Sequence, residues 1–161
     1  MPEKKTVKRA EAAKRAGKSP GTQAGAFVKE QIDHIREGRH GAKSAKQAIA
    51  IGLSEARRSG VAVKAPKKGA TSEATRKKAA KDAAAGAHKT KKSASTESKS
   101  KRSAVSTRVL KREGTKAASH TALSRQSHAS ASRRSAADRS AAAKKGWATR
   151  RKAASARHAS R

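Results

Sequence analysis

The sequence predicts a mostly disordered chain with α-helical segments, a small αα-hairpin head and no β structure. Three observations lead there. Only 14 of the 161 residues are Leu, Ile, Val or Phe, and the formal net charge is +31. Low bulky-apolar content with high net charge is the composition of disorder. Apolar residues recur at helical spacing mainly between residues 22 and 60. The 34% hydrophobic content is largely 38 Ala residues. An Ala methyl recovers little on burial, whereas ordering the backbone costs about 1–2 kcal/mol per residue.

Taken in order, residues 3–16 have high helix propensity but only Val7 to bury, which predicts a frayed helix or one that forms on binding. Gly17 and Ser19-Pro20-Gly21 then read as breakers. Residues 22–37 place Ala24, Val28, Ile32 and Ile35 on one arc, with Phe27 beside it. Thr22 is the expected N-cap and Gly38 the C-cap. Lys29–Asp33 and Asp33–Arg36 are spaced to pair.

Residues 45–59 form the second helix. Ser44 and Gln47 make a capping box. Ala45, Ala48, Ile49, Gly52, Leu53 and Ala56 share a face, and Gly60 stops the helix. Its small residues permit close helix approach. The two helices make an αα-hairpin, with Val61 and Val63 placed to fold back as a lid. So few large side chains rarely hold a small scaffold alone, so a homodimer through the 22–60 hairpin, or folding on a ligand, is expected.

Beyond Pro66-Lys67-Lys68-Gly69 the composition changes. Residues 1–65 carry a net +9, residues 66–161 a net +22. The expected organisation is a basic arm over 1–21, the helical hairpin over 22–65 and a low-complexity tail over 66–161 with transient helices. Within the tail, residues 103–112 are spaced for three helical turns ended by Gly114. Residues 135–145 start on a capping pattern, Ser135 to Asp138, and Gly146-Trp147 is expected to interrupt them.

The composition also excludes function classes. Without Cys there is no disulfide, thiolate metal site or Cys nucleophile. No run of 18 apolar residues is present, so no membrane partner is expected. The N-terminus lacks the apolar stretch of a secretory signal, and a cytoplasmic, nucleoid location is expected. The six His residues have no metal-ligand spacing, because Gly38 separates His34 from His40. No metal and no cofactor is expected, and no rigid scaffold places catalytic groups, so the chain reads as a non-enzyme.

The cations point to a polyanion. Each neutralised phosphate releases counterions, which rewards such charge. The expected contacts are Lys43, Lys46, Arg57 and Arg58 on the hairpin, then Lys67, Lys68, Arg76, Lys77, Lys78, Lys91, Lys92, Lys101, Arg102, Lys144, Lys145, Arg150, Arg151 and Lys152 in the tail. Singles, pairs and triplets spaced by Ala and Ser track phosphates without reading bases. Two further residues have alternative readings. Trp147, among cations, either stacks on an unpaired base or inserts at a base step, or else packs on the Ala face of its own helix or against the head. Gln47, at a helix N-terminus, either faces bases or caps.

The stretch Glu37–Arg58, with its core Lys46-Gln47-Ala48-Ile49-Ala50-Ile51-Gly52-Leu53-Ser54-Glu55-Ala56, resembles a segment of small, basic bacterial and phage-borne proteins. Some of those carry labels such as DNA binding or plasmid stabilisation. The tail is similar to the Lys-Ala-rich tails of bacterial histone-like proteins and linker histones. The cationic tail predicts a histone-like protein that binds through phosphates without sequence preference, with DNA as the expected partner and RNA, as in ribosome-associated basic extensions, as the alternative. A protein-interaction adaptor with a solvating basic tail is the reading from a different class.

Overall fold

The computed structural model describes residues 2–87 and 99–159. Among them are seven α-helices and no strand: α1 (Lys4–Arg15), α2 (Pro20–Arg36), α3 (Ala45–Arg58), α4 (Glu73–Ala87), α5 (Lys99–Arg112), α6 (His120–Ser132) and α7 (Ala136–Ala159), with a 3-10 turn at Thr115–Ala118. The helical, strand-free class agrees with the sequence. The expectation of a mostly disordered chain does not hold for the described residues. It counted bulky side chains, whereas this chain builds helices from Ala, the strongest helix former, and packs them backbone against backbone.

The chain divides into two compact units, Met1–Leu123 and Ser124–Arg161. The first is built on the α2–α3 hairpin. Helix α2 begins earlier than expected. Ser19, not Thr22, is its N-cap, accepting from the Thr22 amide at 3.4 Å, and Pro20 occupies the first turn. Proline fits there because that amide has no helical partner, so the apparent breaker is a start signal. Gly38 and Gly60 follow α2 and α3 with φ of 72° and 89°. That left-handed conformation suits Gly. Ser44 caps α3 by accepting from the Gln47 amide at 3.3 Å, and Gln47 Oε1 accepts from the Lys43 amide at 2.8 Å.

The two helices meet at Gly52. A Cβ there would lie 2.6 Å from the Val28 Cα. Around this contact Phe27, Ala24, Ala56, Ala10 and Val61 form a core, with Val7, Leu53 and Val63 against it. Helix α1 is therefore docked on α2 through Ala10 rather than frayed. The expected Val61–Val63 lid is present, and the Arg57 guanidinium fastens it by donating to the Val63 and Lys64 carbonyls at 3.1 and 3.2 Å. A second core joins Ile35, Ala42 and Ala48 to Ala117 and Ala118. The hairpin turn reaches α5 through Gly41, whose amide donates to the Leu110 carbonyl at 2.9 Å. Lys29 and Asp33 pair as expected, while Arg36 instead donates to the Ala118 carbonyl at 3.0 Å.

Helix α4 lies in the segment expected to be disordered. It packs on α3 through Ala79 and Gly86, and a Cβ on Gly86 would overlap the Arg57 carbonyl. Asp82 secures it, accepting from Ser54 Oγ at 2.6 Å and Arg58 Nε at 3.0 Å. Burial pushes the Asp82 carboxyl up, but the Ser54 hydroxyl, Arg58 and Lys78 outweigh this and hold it below its usual value. A carboxylate with a depressed folded value contributes stability at neutral pH that is lost on acidification. Helix α4 is expected to undock as the pH falls below about 4. Amide hydrogen exchange of residues 73–87 should show this step, and Asp82→Asn should expose those amides already at neutral pH.

The second unit holds most of α6 and all of α7. Ser135 caps α7, accepting from the Asp138 amide at 3.0 Å and donating to its carboxylate at 2.8 Å. Gly146 does not interrupt this helix, which runs on to Ala159. A single interior Gly costs only about 1 kcal/mol, and long Ala-rich flanks absorb it.

Candidate nucleic-acid interface

The expected contact residues that the structure describes are spread over both units. On the first, Lys43 and Lys46 are exposed at the start of α3. Gln47 beside them is occupied as a cap. Lys67 and Lys68 are exposed in the turn before Gly69. Three cations are already paired: Arg58 and Lys78 with Asp82 at 3.0 and 3.6 Å, and Arg76 with Glu73 at 2.6 Å. Lys77 is exposed, and Lys81 one turn on extends that row. The sequence reading missed Lys81 because it followed clusters of adjacent cations rather than i,i+4 spacing.

Arg57 does not belong to this surface. It is 6% exposed, with its guanidinium spent on the lid carbonyls. Its partners lie six and seven residues on, where helix periodicity gives no hint of them. Lys101 and Arg102 lie in the first turn of α5. Lys91 and Lys92 lie outside the described residues.

On the second unit the contact residues lie on α7. Lys144, Lys145, Arg150, Arg151 and Lys152 are all exposed. At 100° per residue, Lys144, Arg150 and Arg151 share one broad arc with Trp147, and Lys145 and Lys152 lie on another. Trp147 is 64% exposed, with the Arg151 guanidinium 5.8 Å from its ring centroid. Most of the indole is therefore open to a ligand. Residues 124–161 contain eleven Lys and Arg against one acid, Asp138. In the first unit, by contrast, carboxylates already hold several of the cations.

Fold and surface together define a strongly basic protein whose described elements are all helical. Residues 13–69, from the end of α1 to the turn beyond the lid, match the family model of DUF6496, a family of unknown function. No curated protein and no solved structure matches the chain. Among the described residues, no helix is long and apolar enough to cross a membrane.

Proposed function

We propose that the protein binds nucleic acid, duplex DNA foremost, through phosphate contacts with little base selectivity, in the manner of a histone-like nucleoid protein. The observation that carries this reading is α7. Its 24 residues make a rod about 36 Å long, close to the roughly 34–36 Å turn of B-DNA. Five exposed cations lie in the nine residues Lys144–Lys152. Like-charged residues a turn apart oppose a helix in water, and phosphates remove that penalty. The first unit adds Lys43, Lys46, Lys67, Lys68 and Lys77, and its carboxylate-paired cations contribute less.

Trp147 is the only Trp in the chain, so its emission reports on α7 directly. The test is a titration with two unrelated DNA duplexes and an RNA duplex. Similar affinity for both DNA duplexes, weaker affinity for RNA and a change in Trp147 emission are expected. No binding at low salt, or a strong preference for one DNA sequence, would contradict the proposal. Tighter RNA binding would move the partner to RNA.

A second reading, docking to a protein, draws on α5, where Val105 and Val109 are 59% and 53% exposed one turn apart. A stoichiometric protein partner that survives nuclease treatment would favour it. Dimerisation through the hairpin is also retained as a proposal, with sedimentation as its check. It has less free face than expected, since α1 packs on α2 and α4 on α3.

A further inference from the structure

Four of the eleven acidic residues, Glu3, Glu30, Asp33 and Glu37, line one pocket of about 230 Å³ between the N-terminus of α1 and α2. Lys5, Arg9, Lys29 and Arg39 line it too, with Lys29 paired to Asp33 and Arg39 to Glu37 and Glu3. We propose that Glu3, Glu30 and His34 in this pocket bind a divalent transition-metal cation of the Zn²⁺ type. The site is independent of the nucleic-acid surfaces. It also departs from the sequence expectation of no metal. Spacing along the chain sets His34 beside His40, whereas the fold brings Glu3 to it from 31 residues away.

The geometry fits such an ion. His34 Nε2 lies 3.3 Å from Glu3 Oε1 and 3.9 Å from Glu30 Oε1, and one donor atom from each residue falls within 4.8 Å of the others. Tetrahedral ligands at bond lengths of about 2.0–2.1 Å are about 3.3–3.4 Å apart. An independent observation comes from Glu30. Its side chain is 5% exposed, and among the described residues its Oε2 has no hydrogen-bond partner. Its Oε1 accepts from the Glu3 amide at 2.8 Å. A buried carboxylate oxygen without a partner is costly, and a cation in the pocket removes that cost.

Arg39 marks the same position. Its Nη1 is 3.1 Å from both Glu3 Oε1 and His34 Nε2. His34 Nε2 and Glu3 Oε1 are themselves 3.3 Å apart, so the three side chains converge on one point that already holds a positive charge. Arg39 supplies it from the hairpin turn, with its side chain 55% exposed and its Nε also paired with Glu37 at 2.9 Å. Imidazole nitrogen with two carboxylates suits Zn²⁺, whereas Mg²⁺ favours oxygen ligands in an octahedron.

The test is calorimetric titration of the full chain with Zn²⁺ and with Mg²⁺, each variant first checked for helicity by circular dichroism. One saturable Zn²⁺ site and much weaker Mg²⁺ binding are expected. Glu3→Gln, an exposed change that leaves the core intact, and His34→Gln should each lower Zn²⁺ affinity by about tenfold or more. Arg39→Ala should raise it several-fold by removing the competing cation, a sign that a merely structural role for Arg39 does not produce. Absence of a saturable site, or Zn²⁺ affinity unchanged in both Glu3→Gln and His34→Gln, would overturn the proposal.

Discussion

Replacing Phe27 by Ala is expected to unfold the α1–α2–α3 core at room temperature. Phe27 and Ile35 are the two largest fully buried side chains. Phe27 fills the space between Ala10 of α1, Ala24 of its own helix, Ala56 of α3 and Val61 of the lid. The alanines among them are small, and α2 and α3 already meet backbone to backbone at Gly52, so there is little room to close over the void. Truncation of a buried Phe costs about 3–5 kcal/mol. A core this small supplies only about 3–5 kcal/mol in total, so the substitution removes most of the margin. Thermal melts followed by circular dichroism should show loss of the cooperative transition. Val105→Ala, on an exposed face of α5, should move stability by less than about 0.5 kcal/mol. A cooperative melt of Phe27→Ala matching the parent chain would mean that this Ala-lined packing does not hold the unit together.

Changing Lys144, Lys145, Arg150, Arg151 and Lys152 together to Gln should strip most of the nucleic-acid affinity. All five side chains are exposed and Gln is a good helix former, so α7 is expected to persist without its charge. Each lost phosphate contact lowers the slope of log K against log salt by about 0.9. Five lost contacts lower it by about 4–5, and affinity in low salt should fall more than about a hundredfold. The matching control neutralises Arg58, Arg76 and Lys78. Asp82 and Glu73 already pair with these, so their change should move the slope much less, although Arg58 and Lys78 also help to hold α4. Equal losses from the two sets would assign α7 no special part.

Helices α2 and α3 were legible because each carries apolar residues at helical spacing and ends at a glycine, Gly38 and Gly60. The Ser44 cap, the lid and the close approach at small residues of α3 follow from those residues alone. Helix α1 was legible as propensity but not as a docked element, and α4 lay in a stretch expected to be disordered. Their buried residues are Thr6, Ala10, Ala79 and Gly86, which leave no hydrophobic stripe to read. The Ser19-Pro20 start was mistaken for a break, since the same dipeptide serves both purposes. Helix α6 contains Leu123 as its only large apolar residue and gave no periodicity to detect. The basic surface was legible in composition but not in availability. Nothing in the residues around Arg57 shows that its guanidinium is taken by the lid, or that Arg58, Arg76 and Lys78 meet carboxylates. The Glu3, Glu30 and His34 cluster is assembled only by docking α1 on α2, so no local spacing encodes it.

The central claim is that exposed cations on a helical scaffold bind phosphate backbones. The most direct measurement is the equilibrium affinity of the full chain for one random-sequence duplex across a salt series. A straight line of log K against log salt with a slope steeper than about −5, as expected for six or more phosphates neutralised, is the predicted result. Binding that does not weaken as salt rises, or no binding at the lowest salt, would contradict it.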